Sequence, residues 1–141
     1  MIPAENVHKV FDRDRFAVGN GIEIVEYDIN YAKVKMTVQD RHRNGMEQVM
    51  GGALFTMADY AFAIASNLGH GATVTLDSSI SFLSTTRSDC IFAVARCVKD
   101  GRRSCVFDVE ITDAGGKRLA VCRTTGMRVS DDPIDPGLCE E

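Results

Sequence analysis

The stretch Asn44-Gly-Met-Glu-Gln-Val-Met-Gly-Gly-Ala-Leu-Phe-Thr-Met-Ala-Asp59 places a glycine pair before an apolar run that contains one carboxylate. The run continues to Leu68, and its composition predicts a long buried helix that begins near Gly51. An unpaired charge is costly to bury, so we expect Asp59 to face a partner, a solvated cleft or a substrate. A hydrogen bond from a neighbouring Thr or Ser hydroxyl is the structural alternative.

Gly51 and Gly52 stand at the predicted start of this helix. A helix N-terminus carries unpaired backbone N–H groups and a partial positive charge, and glycines allow a ligand oxygen to approach them. Together with Asp59, the glycine pair predicts an oxyanion-binding site associated with an acid–base residue.

Strand patterns lie on both sides of the predicted helix. Residues 22–38 have strand character, which is clearest where Val34, Met36 and Val38 alternate with polar side chains. Four further runs follow the helix, at residues 73–83, 90–99, 103–113 and 117–129.

Two glycine-containing turns separate the last three runs. Asp100-Gly101 and Ala114-Gly-Gly116 supply the positive φ angles that tight hairpin turns need, so they predict three consecutive antiparallel strands. Residues 4–11 have apolar side chains at helical spacing and predict a short N-terminal helix. The layout is α+β, and alanines on several sides of the long central helix allow a curved antiparallel sheet to wrap around it.

The length of 141 residues fits one domain, which we expect to cover residues 1–129. Residues 130–141 combine acidic residues and prolines with few apolar side chains, which predicts a mobile acidic tail.

Composition argues against several classes of protein. The formal charge of -4 and the pI near 5.4 disfavour binding of nucleic acid through phosphate contacts. The longest apolar run is short for a bilayer and the N-terminus lacks a secretory signal, so we expect a cytoplasmic protein with no membrane partner. The five cysteines form no Cys-x-x-Cys pair. His8, His42 and His70 are scattered, so no metal site is predicted and solvated loop positions are expected for these histidines.

Several motifs together carry a resemblance that covers nearly the whole chain. They are His42-x-Asn44, Gly51-Gly52, Leu54-Phe-x-x-Ala-Asp59-x-Ala-Phe-Ala63, Ser66-Asn67, Val74-Thr-Leu-Asp77 and Ile80-Ser-Phe-Leu83. As a set they resemble the hotdog-fold superfamily, and specifically its acyl-CoA thioesterases of the phenylacetic-acid-degradation type. The resemblance implies one hotdog domain, in which an antiparallel sheet wraps around a central helix.

In that family the helix aspartate serves as general base or nucleophile on the thioester. A loop asparagine and the first backbone N–H after the family's histidine polarise the carbonyl. The resemblance therefore implies these roles for Asp59, Asn44 and Gly51. It also implies hydrolysis of an aryl or fatty acyl-CoA to free acid and CoA, no cofactor beyond the coenzyme A of the substrate, and a homodimer or homotetramer. Asn44, which stands beside Gly45, has a second interpretation as a turn residue.

The chain departs from the family pattern at two positions. The family has His-Gly-Gly where Met50-Gly-Gly stands, and it has glycine where Glu47 stands. A methionine side chain can neither donate a hydrogen bond nor hold a proton. Met50 therefore leaves a non-hydrolytic acyl-CoA binder or sensor as an alternative, while a hotdog hydratase is disfavoured because such enzymes typically carry a catalytic histidine.

Gly51 and Asp59 are separated by eight residues of predicted helix, which is about 12 Å. One carbonyl must lie roughly 3 Å from both groups, and a single chain cannot provide that arrangement. We therefore expect Asp59 to act with Gly51 of the partner subunit across a two-fold axis.

A hydroxyl on the strand after the helix is a further catalytic candidate. Thr75 is expected to share a strand face with Asp77, Ser79 and Ser81 by alternation, from which it could orient the attacking water. Strand hydroxyls are more often simple sheet residues, and that alternative stays open.

Two groups of residues are candidates for substrate binding. Met50, Met57 and Phe82 could line an acyl pocket, although apolar residues there are equally well explained as core. Gly52 is a further candidate for substrate binding. Cations near turns are candidates for the coenzyme A phosphates, with solvated charge as their alternative role. These cations are Arg87, Arg102, Arg103, Lys117 and Arg118.

Overall fold

The computed structural model describes residues 6–134. Two short helices, α1 (Val7–Phe11) and α2 (Arg15–Gly19), come first. They are followed by strands β1 (Ile22–Asp28) and β2 (Tyr31–Thr37), a single 3-10 turn at Asp40–His42, and helix α3 (Gly51–Asn67). The chain ends in strands β3 (Thr73–Phe82), β4 (Cys90–Asp100), β5 (Ser104–Asp113) and β6 (Arg118–Arg128).

The six strands form one antiparallel sheet in the order β1-β2-β4-β5-β6-β3. Helix α3 contacts every strand of this sheet. The close approach is possible because Ala58, Ala61 and Ala65 on α3 are fully buried and small. The α+β architecture of a curved sheet wrapped around one long helix is therefore confirmed.

The last three strands pair as two antiparallel hairpins, as the turn sequences predicted. The second turn has the expected positive φ, at Gly116 (86°). The first does not, since Gly101 is not among the residues with positive φ. The N–H of Gly101 donates to the Ser104 carbonyl at 2.9 Å. A longer connection and a bulge at Cys97/Lys99 therefore replace the tight two-residue turn that we expected.

Strand β3 contains a bulge that changes which of its side chains face the helix. Thr75 lies opposite Gly126, but Asp77 lies opposite Thr125, so Leu76 is the extra residue. Alternation restarts after a bulge, and directly paired residues point to the same side of a sheet. Thr75 therefore faces α3, while Asp77 faces away from it. The expectation that Thr75 shares a face with Asp77, Ser79 and Ser81 is wrong.

The two ends of the described chain differ from the sequence-based expectation. Helix α1 falls within the predicted helix at residues 4–11, of which 4 and 5 lie outside the described residues, whereas α2 was not predicted. Residues 130–134, assigned to a mobile tail, make contacts: the Ala72 N–H donates to the Asp132 carbonyl at 2.8 Å, and Ile134 packs against the core. Residues 135–141 of the proposed tail lie outside the described part, and the domain boundary stays a prediction.

Within residues 6–134, no helix is long and apolar enough to cross a bilayer.

Gly126 on β6 occupies a crowded position below α3. A Cβ there would lie 2.7 Å from the Phe62 ring and 2.9 Å from both Cys105 Sγ and Thr73 Cγ2. Because close-packed cores accommodate added methyl groups poorly, we expect Gly126→Ala to lower the free energy of unfolding by about 1–3 kcal/mol. Urea unfolding would measure this. Gly19→Ala is the matched control, since no atom lies within 4 Å of its added Cβ. Equal stability of the two variants would contradict the crowding.

Candidate active site

Asp59 lies midway along α3. Its carboxylate is exposed in the single chain, and the Thr75 hydroxyl is near enough to act on its pKa. Thr75 is placed there because the β3 bulge turns it toward the helix. Partial burial raises the pKa of Asp59 above its ordinary value, the nearby Asp14 carboxylate raises it further, and the Thr75 hydrogen bond opposes the rise.

A cleft of about 330 Å³ lies beside Asp59, between α2 and α3. Aromatic and carboxylate side chains share its walls. Its lining residues are Asp14, Phe16, Ala17, Phe55, Thr56, Asp59 and Tyr60. The cleft therefore combines an acid–base candidate of raised pKa with an apolar surface, which is a common composition of active sites.

The N-terminus of α3 has free amides. Met50 occupies the N-cap position with extended backbone, and its own N–H donates to the His42 carbonyl at 2.8 Å. Among the described residues, the N–H groups of Gly51 and Gly52 have no hydrogen-bond acceptor. The Phe82 ring lies against Gly51, where a Cβ would be 2.8 Å from it, while the space around Gly52 is open. These amides are available to stabilise an oxyanion.

Asn44 organises the loop before α3. Its Oδ1 accepts from the backbone N–H groups of Met46 at 2.9 Å and Gln48 at 3.2 Å. The Asn44 side-chain oxygen therefore acts as a turn residue's acceptor. Within residues 6–134, its Nδ2 has no acceptor. Glu47 in this loop has a φ of 60°. That left-handed conformation explains why a glycine is suited to the position.

His42 is buried, with 3% of its surface exposed, and the expectation of a solvated loop position is wrong for it. The Gln39 N–H donates to its Nδ1 at 2.9 Å, and its Nε2 lies 2.7 Å from the Asn20 carbonyl. Since Nδ1 accepts, the proton must be on Nε2, and the neutral ring ties the loop to the chain before β1. The scattered spacing of the histidines gave no sign of this positioning role.

The candidate catalytic residues form two groups in the single chain. Asp59 and Thr75 form one group beside the cleft between α2 and α3. Asn44 and Phe82 line a separate cavity of about 350 Å³ at the N-terminal end of α3, next to Gly51. The groups are about 12 Å apart along the helix. One chain therefore does not bring Gly51 and Asp59 to one reacting atom.

The candidate phosphate-binding arginines are also divided. Arg87 precedes β4 and lines a cavity with Lys117, whereas Arg102 and Arg103 follow β4 in the hairpin to β5. Strand β4 has 11 residues, so the two groups are about 30 Å apart. They cannot contact one phosphate within one chain.

Two residues beside Asp59 were not sequence candidates. Asp14 precedes α2 and raises the pKa of Asp59, and Phe16 on α2 is 71% exposed at the cleft. Helix α2 has five residues, which is too short for a detectable periodicity. In the sequence, only the aromatic residue Phe16 within a polar segment could have indicated this part of the cleft.

Comparison with known proteins identifies the family of this chain. Residues 46–120, which include α3, strands β3 to β5 and the first residues of β6, match the family model of the thioesterase superfamily. The acyl-coenzyme A thioesterase PaaI of Escherichia coli strain K12 is 34% identical over 126 residues, which is 89% of this chain and 90% of that protein. The chain belongs to the thioesterase superfamily. As a member of that superfamily it is a thioester hydrolase, which confirms the class of enzyme that the motifs implied.

Solved structures of the superfamily agree with the fold. E. coli PaaI, encoded in the phenylacetic acid degradation operon, has a TM-score of 0.85 at 32% identity, covering 91% of this chain and 94% of that one. A hypothetical thioesterase of Streptococcus pneumoniae TIGR4, solved with coenzyme A, has a TM-score of 0.81 at 27% identity, with coverages of 89% and 98%. The smu.793 protein of Streptococcus mutans, bound to acetyl-CoA, has a TM-score of 0.75 at 27% identity, with coverages of 79% and 90%. The hotdog fold of this thioesterase is confirmed.

Proposed function

We propose that this thioesterase hydrolyses an acyl-CoA to the free acid and coenzyme A, with Asp59 as its acid–base residue. The observation that carries the proposal is the Asp59 carboxylate of raised pKa, which lines an open cleft and has the Thr75 hydroxyl nearby. Similarity to E. coli PaaI, an acyl-CoA thioesterase, and to structures that contain coenzyme A or acetyl-CoA supports this substrate class.

In the simplest mechanism, Asp59 takes a proton from water while the water oxygen attacks the thioester carbonyl carbon. The carbonyl oxygen becomes an oxyanion that accepts hydrogen bonds from the Gly51 N–H and from Nδ2 of Asn44. Collapse of the tetrahedral intermediate breaks the carbon–sulfur bond, and Asp59 donates its proton to the departing thiolate. Attack by the Asp59 carboxylate itself, followed by hydrolysis of the resulting anhydride, uses the same groups.

The two groups of residues would meet in a dimer formed through β3. This strand is at the edge of the sheet, pairs only with β6 among the described strands, and has mostly exposed side chains. Thr75 and Phe82 lie toward its opposite ends, Thr75 beside Asp59 and Phe82 beside Gly51. Antiparallel pairing of two copies about the middle of β3 brings Asp59 of one chain toward Gly51 of the partner subunit. Assembly into a dimer of dimers and a cytoplasmic location remain part of the proposal.

Thiol release from a panel of short, medium, long and aryl acyl-CoAs tests the proposed function directly. We expect turnover of at least one class of acyl-CoA by the wild-type protein. Ligand-dependent thermal stabilisation without thiol release would instead indicate an acyl-CoA binder, and Met50 would be the first residue to change, to histidine.

Two substitutions next to Asp59 are expected to shift the pH dependence of kcat/KM in opposite directions. Asp59 is active when ionised, so kcat/KM falls as the pH drops through its pKa. Asp14→Asn removes a like charge, lowers the pKa of Asp59, and moves the acidic limb to lower pH. Thr75→Val removes the stabilising hydrogen bond, raises that pKa, and moves the limb to higher pH.

Asp12→Asn is the matched control for this pair. Asp12 is an exposed carboxylate of the same segment and does not contribute to the pKa shift of Asp59. The limb should stay at its wild-type position in this variant. A common direction of shift for Asp14→Asn and Thr75→Val would contradict Asp59 as the group that titrates.

A further inference from the structure

One wall of the cleft beside Asp59 is formed by a short segment outside the central helix. Asp14, Phe16 and Ala17 come from α2 and the residue before it, and face Phe55 and Tyr60 of α3. Phe16 is 71% exposed although it is a large aromatic residue. An aromatic side chain open to solvent beside a candidate base is suited to cover an apolar part of a ligand.

The charge of the cleft indicates which end of a thioester it could accept. Among the described residues that line it, two are carboxylates, Asp14 and Asp59, and none is Arg or Lys. Coenzyme A carries phosphates, which negative walls repel. The uncharged acyl end of the substrate has no such conflict, and its burial against Phe16 and Phe55 is favourable.

The size of the cleft limits the acyl group. Its volume of about 330 Å³ is at the lower end of the roughly 300–1,000 Å³ typical of small-molecule pockets. A larger cavity, of about 700 Å³, is lined by the outer sheet residues Ser79 and Ser81 and by the Arg123–Asp108 ion pair. Asp59 does not line that larger cavity, so it does not compete as the subsite next to the reacting carbonyl.

We propose that the cleft between α2 and α3 is the acyl subsite of this thioesterase, and that Phe16 is a specificity-determining residue in its wall. The inference rests on the proposed function, since it places the thioester carbonyl at Asp59. The acyl group extends from that carbonyl toward α2, while the coenzyme A part leaves the site on the side away from Asp14. A short or medium acyl chain, or a single aryl ring, fills the cleft.

The test compares Phe16→Ala with wild type on acetyl-CoA, hexanoyl-CoA and phenylacetyl-CoA, by thiol release. We expect kcat/KM for hexanoyl-CoA and phenylacetyl-CoA to fall about tenfold, because a site that loses apolar contacts discriminates by such factors. For acetyl-CoA, whose methyl group has little apolar surface to bury, kcat/KM should stay within about twofold. The ratio between substrates is the readout, which a general loss of stability would not change.

Val18→Ala is the matched control, because Val18 lies on the same helix, is 37% exposed and does not line the cleft. It should leave all three values of kcat/KM unchanged. Equal effects of Phe16→Ala on all three substrates, or no effect, would overturn the subsite while leaving Asp59-dependent hydrolysis intact. If wild type hydrolyses no acyl-CoA, the proposed function fails first, and the subsite fails with it.

Discussion

Asp59→Asn is expected to lower kcat for acyl-CoA hydrolysis by about 10²–10⁴-fold, the usual contribution of a positioned acid–base group. The amide keeps the shape of the side chain and can still bond to the Thr75 hydroxyl, but it can neither accept the proton of water nor attack the carbonyl. KM should change little, since the substitution removes an interaction made in the transition state. Thiol release under saturating substrate measures the effect.

Asp77→Asn is the matched control for this substitution. Asp77 is an exposed carboxylate two residues after Thr75, but the β3 bulge turns it to the outer side of the sheet. Its neutralisation should leave kcat unchanged. If Asp59→Asn retains more than about one tenth of the wild-type kcat, Asp59 is not the acid–base residue that this mechanism needs.

Isotope labelling separates the two roles that are open to Asp59. In a single turnover in H₂¹⁸O, a general base leaves the Asp59 carboxylate unlabelled, because water attacks the thioester directly. A nucleophile becomes labelled when water opens the anhydride at the Asp59 carbon, whereas opening at the acyl carbon labels only the free acid, as direct attack by water does. Label in the peptide that contains Asp59, detected by mass spectrometry, therefore establishes the nucleophilic role.

The fold was predictable to the extent that its signals are local and repeated. Helix α3 has a long apolar run after a glycine pair, and the β4–β5–β6 hairpins have alternation interrupted by glycine turns. The structure agrees with such patterns because burial of the apolar face determines both the type of secondary structure and the side that faces the core. The overall architecture followed from these elements together with the family resemblance.

The details of the candidate site were less predictable, because they depend on single irregularities and on contacts between distant segments. The Thr75/Asp77 register shift has no marker in the sequence, yet it decides that Thr75 and not Asp77 faces Asp59. The contribution of Asp14 to the pKa of Asp59 requires α2 to pack beside α3. The sequence of a five-residue helix is too short to predict that packing. His42 became a buried residue only because its ring bonds to segments on two sides.

Division of the active site between subunits makes a prediction for mixed dimers. Asp59→Asn and Gly51→Pro chains should each be inactive alone, and a co-refolded equal mixture should recover about one quarter of the wild-type activity. Half of the dimers are then mixed, and one of their two sites combines an intact Asp59 with an intact Gly51 of the partner subunit. If both groups acted within one chain, no site in the mixture would be complete.

Proline at Gly51 is a suitable way to remove the amide. Gly51 is the first helical residue, where proline is well tolerated, and Met50 before it has an extended backbone with a ψ of 136°. An added Cβ at Gly51 meets the far end of the Phe82 side chain. Gly51→Ala adds the same Cβ but keeps the N–H, so its activity separates loss of the donor from displacement of Phe82. If the active site is shared between subunits, the mixture of Asp59→Asn and Gly51→Pro chains recovers activity and Gly51→Ala is active alone. A mixture that folds and dimerises but stays inactive would place the oxyanion donor elsewhere.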